Sequence, residues 1–181
     1  MSYSENVARI KEPDYQFRNP VAEDGVALNR LVKASPPLDT NSLYCNLLQC
    51  SYFSDTSIIA EDDFELAGLV TGFIVPKQKD TIFIWQVAVA ESARKQGLAM
   101  KMLLKLLQQP SCSFVRYLET TITEENNASK ILFSKLAEIL GVNFTRTKHF
   151  SSDIHFNGQH DDEVLYRLGP FNTSLLNITH V

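Results

Sequence analysis

The hexapeptide Arg94-Lys95-Gln96-Gly97-Leu98-Ala99 stands between two contrasting patterns. Before it runs a β-branched and aromatic stretch, Thr81-Ile82-Phe83-Ile84-Trp85-Gln86-Val87-Ala88-Val89, then a short polar link. After it, Met100-Lys101-Met102-Leu103-Leu104-Lys105-Leu106-Leu107 has the period of an amphipathic helix. A buried strand therefore feeds a turn of small residues, and the turn opens a helix. The first N–H groups of a helix lack partners within it and sit at the positive end of its dipole, so such a junction binds anions. A phosphate group is the expected ligand. The chain has no Gly-Lys-Ser/Thr ending for a nucleoside triphosphate loop and no Gly-x-Gly-x-x-Gly for a dinucleotide.

Elements that must hold this turn follow from the periodicities on either side. A first strand is expected over 15–18 and a helix over 21–33, with Ala27, Leu28, Leu31 and Val32 on its apolar face and Ser35-Pro36-Pro37 as its stop. A polar loop, Leu38-Asp39-Thr40-Asn41-Ser42, can cap a helix over 43–52 that turns Tyr44, Leu47 and Leu48 to one side. Strands over 56–61 and 64–75 form a hairpin about Asp62-Asp63. Beyond the central helix come a strand over 114–123, a helix over 124–140 closed by Gly141, a strand over 142–148, a polar loop over 149–162 and a last strand over 163–168. Helices that fall both before and after strand pairs predict a mixed α/β (α+β) sheet covered on both faces. One domain over 15–170 is expected, between a flexible segment over 1–14 and a tail over 171–181.

The totals agree with one enzyme-sized domain. The 181 residues are 44% hydrophobic and 21% charged, with a formal net charge of −4. Such a balance gives no basic field to recruit nucleic acid or anionic membrane, so an anion must be held locally. The N-terminal residues do not read as a signal peptide, and no apolar run is long enough to span a bilayer. Three cysteines, Cys45, Cys50 and Cys112, form neither a paired framework nor a zinc spacing and read as free thiols of a reducing cytoplasm.

Arg94-x-x-Gly97-x-Ala99 after a strand resembles the acyl-CoA pyrophosphate loop of the GNAT superfamily of N-acetyltransferases. The resemblance implies the GNAT fold and acetyl-CoA as co-substrate. Gly97 and Ala99 would let the backbone approach the diphosphate, N–H groups from Gln96, Leu98 and their neighbours would face it, and Arg94 or Lys95 would add charge. Val87 and Val89 would border the acyl-pantetheine arm on the central strand. Asn126 or Asn127, where that superfamily opens a helix after a strand, would reach the pantetheine or the phosphates; either also serves as a plain helix-start residue.

Four further segments are similar to one family within the superfamily, the L-2,4-diaminobutyrate acetyltransferases of ectoine synthesis. They are Leu38-Asp39-Thr40-Asn41-Ser42-x-Tyr44, Phe83-Ile84-Trp85-Gln86-Val87, Tyr117-Leu118-Glu119-Thr120-Thr121-Ile122-Thr123 and Gly158-Gln159-His160-Asp161-Asp162-Glu163-Val164-Leu165-Tyr166. That likeness implies acetyl transfer to the γ-amino group of L-2,4-diaminobutyrate by a cytoplasmic homodimer that uses no metal. Such a substrate needs anionic partners for its ammonium groups, which Asp39, Glu119 and Glu163 supply. Trp85, Tyr44, Thr121 and His160 would supply shape, donors and orientation.

Plainer roles exist for each. Asp39 also fits a helix cap, Tyr44 and Trp85 fit core aromatics, and the loop bearing His160 and Glu163 fits a solvated surface or a metal site. Glu119 is a lone carboxylate in a strand otherwise rich in apolar and Thr residues, which favours function if it faces inward. It is the first candidate for the general base, with His160 and Glu163 the second. The backbone N–H of Val87 or a neighbour would hold the oxyanion. Phe133 occupies the region where many GNAT enzymes carry a Tyr that protonates the leaving thiolate. The alternatives are a GNAT enzyme acting on another diamine or a protein amine, or an acyl-CoA-binding module without chemistry.

Overall fold

The computed structural model describes residues 14–63 and 65–173. Seven strands form one sheet in the order β1-β2-β3-β4-β5-β7-β6. These are β1 Gln16–Arg18, β2 Ile58–Asp62, β3 Glu65–Ile74, β4 Thr81–Val89, β5 Tyr117–Thr123, β6 Phe144–Phe150 and β7 Glu163–Leu168. Only β4 and β5 run parallel; every other pair is antiparallel. The helices are α1 Gly25–Lys33, α2 Leu43–Tyr52, α3 Leu98–Leu107, α4 Asn127–Leu140 and the single turn α5 Ser152–His155.

Side-chain alternation along the strands sorts the core into two layers. Ile58, Val70, Ile82, Ile84, Leu118 and Ile122 pack with Met102, Leu103, Leu106 and Leu107 of α3 and with Phe133 and Leu136 of α4. Their neighbours Ile59, Leu69 and Ala88 pack instead with Leu28, Leu31 and Val32 of α1 and Cys50 of α2. The mixed, mostly antiparallel sheet with helices on both faces is thus as expected.

Several boundaries and faces differ from expectation. Residues 22–24 form a 3-10 turn, so α1 begins at Gly25. Ala27 is exposed, and Asn29 is buried in its place. On α2 the apolar Leu47 and Leu48 are only half-buried and Tyr44 is exposed, whereas Asn46 and Gln49 are fully buried. The reason is a polar network: Asn29 Nδ2 donates to Asn46 Oδ1 at 2.6 Å, and Asn46 Nδ2 donates to Gln49 Oε1 at 3.1 Å. Hydrophobic periodicity cannot see such a pairing, because each amide is buried only on account of the other. Helix α4 starts at Asn127 rather than 124, capped by Asn126, whose side chain accepts from Ser129 N at 3.1 Å. Gly141 ends it in the left-handed conformation, φ 66°. Strand β6 is shifted to 144–150, and α5 interrupts the loop that follows.

Phe171 is buried, and its N–H donates to the Arg116 carbonyl at 2.9 Å. Residues 1–13 and 174–181 lie outside the described residues, and with them most of the expected N-terminal segment and tail.

Two irregularities of β4 position the site. Its register with β3 slips between Gln86, opposite Thr71, and Ile84, opposite Gly72, which makes Trp85 an extra residue. This bulge reverses the alternation. Ile82 and Ile84 face the α3 side, but so do Val87 and Val89, while Trp85 joins Phe73 and Phe53 on the opposite face. Second, β4 pairs with β5 only from Thr81 to Phe83, opposite Tyr117 to Glu119. Beyond Phe83 the two strands part, and the edge of β4 from Ile84 onward borders a gap.

Candidate active site

A cleft of about 470 Å³ opens along that edge. It is lined by Val87 and Val89 of β4, by Arg94, Lys95, Gly97, Leu98 and Ala99 of the turn, and by Asn126 at the start of α4. Helix α3 begins at Leu98, two residues earlier than the helical pattern itself suggested, so the small-residue turn is already its N-terminus. Lys95 and Gly97 both have left-handed backbones, φ 63° and 75°. That alternation bends successive N–H groups toward one concavity, as anion-binding loops require. A Cβ added to Gly97 would meet nothing within 4 Å. The glycine therefore serves the backbone conformation and leaves room for a ligand. Gln96 and Asn127 are not among the lining residues. Gln96 is turned away: Nε2 donates to the Ser92 carbonyl and Oε1 accepts from the Tyr15 hydroxyl, each at 2.9 Å.

On the far side of Pro37 a second, polar cleft of about 340 Å³ is lined by Thr123, Glu125, Ser152, Gln159, His160 and Asp161. Here the polar loop before α2 meets the loop before β7. His160 Nε2 lies 2.9 Å from Asp39 Oδ2 and 3.8 Å from Glu163 Oε1, while Nδ1 faces the Asp161 carbonyl at 2.7 Å. A carbonyl only accepts, so Nδ1 carries a proton; a carboxylate beside Nε2 favours a second proton there, which makes the ring an imidazolium. The His160 pKa is accordingly raised, chiefly by the Asp161 carbonyl and further by Asp39 and Glu163. Glu163 also has a raised pKa. Burial is the main cause; the Thr121 hydroxyl and His160 oppose it, and Asp39 and Asp161 add to it. One of its oxygens, Oε2, is buried without a hydrogen-bond partner among the described residues. Among those residues, Asp39, His160 and Glu163 are the one group of three potential ligands whose atoms all lie within 4.8 Å of one another. With both ring nitrogens of His160 protonated, the acceptors left in this group are the carboxylates of Asp39 and Glu163, which suit an ammonium group rather than a metal ion.

Glu119 is buried on β5, on the face away from the α3 core, and the inward orientation anticipated for it is present. It is not alone, however: the Arg167 guanidinium of β7 donates directly to its carboxylate, in register across the sheet. Arg167 also donates to Gln78 Oε1 at 3.0 Å and lies 4.0 Å over the Tyr117 ring. The need for a partner, which pointed Glu119 toward catalysis, is therefore met within the fold. Thr121 is two residues along the same face, half-buried. Trp85 is 40% exposed, packed on one side by Phe53 and Phe73 and open on the other. Tyr44 is 70% exposed and makes no hydrogen bond among the described residues.

Two residues of this region, Arg167 and Gln86, carried no role in the sequence. Arg167 had one signal, the single cation of a strand that is mostly apolar beyond Glu163; Gln86 had none, because its orientation depends on the bulge. Phe133 is 2% exposed in the core and does not line the acyl cleft. Burial pushes the thiols of Cys50 and Cys112 up to about 11, so neither is a ready nucleophile.

Parted parallel strands, a small-residue turn at a helix N-terminus and a carboxylate-histidine cluster across the bulged strand define an acyl-CoA-dependent N-acyltransferase. Comparisons with known proteins agree. The model of the Acetyltransferase (GNAT) family matches residues 26–137. L-2,4-diaminobutyric acid acetyltransferase of Methylotuvimicrobium alcaliphilum is 45% identical over 159 residues, covering 88% of this chain and 92% of that protein. The protein of the same name from Vibrio parahaemolyticus is 45% identical over 152 residues, 84% of each chain. Among solved structures, the diaminobutyrate acetyltransferase of Paenibacillus lautus, in complex with L-2,4-diaminobutyric acid and coenzyme A, superposes with a TM-score of 0.84 at 39% identity, covering 88% of this chain and 96% of that one. The chain belongs to the GNAT family and, within it, to the L-2,4-diaminobutyric acid acetyltransferases.

Proposed function

We propose that this protein transfers the acetyl group of acetyl-CoA to the γ-amino group of L-2,4-diaminobutyrate, the acetylating step of ectoine synthesis. One observation carries the reading. The acyl-CoA cleft and the Asp39–His160–Glu163 cluster lie on either side of Pro37, with the bulged strand β4 presenting Val87 to the first and Trp85 to the opposite face. A small dication-like amine then has carboxylates to hold it, and the indole of Trp85 to wall its methylenes.

In this mechanism Glu163 takes the proton from the γ-ammonium, directly or through water. It has the raised pKa and the free oxygen a base needs, whereas a Glu119 oxygen is held by Arg167. Asp39 and His160 fix the charge balance around the amine, and Thr121 holds the Glu163 carboxyl. The freed amine attacks the thioester carbonyl; the C–N bond forms and the oxyanion is received by a backbone N–H on the open edge of β4, at Val87 or its neighbour. The attacking nitrogen gives up its second proton to solvent, and collapse breaks the C–S bond and releases the coenzyme A thiolate, which takes a proton from solvent. Arg94, Lys95, Gly97, Leu98 and Ala99 hold the pyrophosphate, with Asn126 beside the pantetheine arm; Gln96 and Asn127, which do not line the cleft, drop out of the cofactor set. Tyr44's place in the pocket rests on the family resemblance, as do the homodimer and the cytoplasmic location we propose with it; no helix among the described residues is long and apolar enough to cross a membrane.

The test is coenzyme A release with diaminobutyrate, lysine, ornithine, putrescine and a peptide in parallel. Diaminobutyrate should be turned over fastest, with the acetyl group on the γ-nitrogen by NMR. Preference for the peptide would favour a protein-directed enzyme, and no release with any amine would leave an acyl-CoA-binding module.

A further inference from the structure

We infer that Gln86 is a positioning residue for Asp39, holding the substrate-binding loop against the bulged strand. The inference rests on the proposed function and deepens it.

Gln86 is 5% exposed, and its Nε2 donates to the Asp39 backbone carbonyl at 3.0 Å, across 47 positions of sequence. The amide can only sit this way round, since a carbonyl facing the amide oxygen would have no proton between them. Its Oε1 is therefore left buried and without a hydrogen-bond partner among the described residues. The one bond the amide makes, to the Asp39 carbonyl, is thus kept although it leaves a buried acceptor unfilled. Gln86 reaches Asp39 only because of the bulge at Trp85. In an unbroken alternation, residue 86 would follow Ile82 and Ile84 into the α3 core; instead it faces the α1 side.

The same loop is tied a second time. Asn29 Nδ2 donates to the Asn41 carbonyl at 3.1 Å, and Asn29 is itself held by the buried Asn46 of α2. Two buried amides, one from β4 and one from α1, thus grip the backbone on both sides of Thr40. The Asp39 side chain is left to extend toward His160, 2.9 Å away. Fixing the backbone at residue 39 fixes where its carboxylate can reach. Because Gln86 adjoins the β4 edge that borders the acyl cleft, it sets the distance between amine and thioester.

The experiment compares wild type with Gln86→Leu, Gln86→Glu, Asp39→Ala and the Gln86→Leu/Asp39→Ala double variant. Gln86→Leu should raise the KM for diaminobutyrate about tenfold and leave the KM for acetyl-CoA within about twofold. The double variant should be no worse than Asp39→Ala alone, since Gln86 acts through Asp39. Gln86→Glu keeps the shape without the amide donor and should match Gln86→Leu; it carries the same test if the leucine variant does not fold. NMR titration of the His160 imidazole should show its pKa falling in Gln86→Leu as it does in Asp39→Ala. An unchanged KM for the amine, losses that multiply in the double variant, or an unmoved His160 titration would overturn the inference. The titration needs no substrate. It decides the role of Gln86 even if the wild-type protein proves not to acetylate diaminobutyrate.

Discussion

Asp39 and His160 stand 121 positions apart in the chain, yet the carboxylate Oδ2 and the imidazole Nε2 lie 2.9 Å apart. With the Asp161 carbonyl on the other ring nitrogen, the pair raises the His160 pKa above its ordinary value. A raised folded-state pKa means the folded protein holds this proton more tightly than the unfolded chain. The stability contributed is complete below about pH 6.5, the unfolded value, and is lost as pH rises through the folded value. Wild type should therefore melt higher than His160→Gln at about pH 6, and the gap should close toward about pH 9. Thermal melts across that range check it; a gap that widens with pH would mean His160 is held neutral.

Glu163 and Glu119 can be ranked as bases by their amide variants. Glu163→Gln removes the free carboxylate without changing its size, so kcat should fall on the order of 100-fold or more while the KM for acetyl-CoA holds. Glu119→Ala should also lower turnover with acetyl-CoA affinity kept, but it takes the carboxylate partner from the half-buried Arg167 and leaves it Gln78 alone as acceptor, which should cost about 1–3 kcal/mol of stability. Glu119→Gln, which can still accept from Arg167, should then lose less turnover than Glu163→Gln. The reverse order would return the base to Glu119.

How far these residues could be read from the sequence depended on whether their signal was local. The strand 81–89, the turn from Arg94 to Ala99 and the glycine stop at Gly141 rest on patterns of a few neighbouring residues, and the structure places them as expected. The partner of Glu119 was hidden because register sets it: Arg167 comes opposite only when β5 and β7 pair antiparallel with Thr121 against Leu165. Trp85 was a candidate already, but the face it and Gln86 take was hidden by one inserted residue, since a bulge changes the face of everything beyond it without altering composition. Asn29, Asn46 and Gln49 were hidden because buried amides look like surface residues until their mutual hydrogen bonds are seen.

Gly97→Ala tests the anion turn. The left-handed backbone at φ 75° costs an L-residue about 1–2 kcal/mol, and no protein atom lies within 4 Å to add a clash. The strain falls where N–H groups are aimed at the pyrophosphate. The KM for acetyl-CoA should rise about tenfold, for roughly 1.4 kcal/mol, with the KM for the amine unchanged. Equal rises in both constants would assign Gly97 to the fold rather than the cofactor.

Phe133→Tyr tests whether a missing hydroxyl limits the reaction. If the residue at 133 could reach the sulfur, restoring a phenol should speed thiolate protonation. The structure argues against that geometry. Phe133 is 2% exposed among Leu103, Leu106 and Leu136 on the inner side of α4, whereas Ile131, Leu132 and Lys135 line the cleft. A hydroxyl added there enters an apolar core and, unpaired, costs about 1–3 kcal/mol. For a chain of this length that lowers the melting temperature by about 2–4 °C per kcal/mol. The variant should therefore melt lower and turn over no faster than wild type. Faster turnover in Phe133→Tyr, with a new limb in the pH–rate profile near the phenol pKa of about 10, would place residue 133 at the thiolate and overturn the solvent route for its proton.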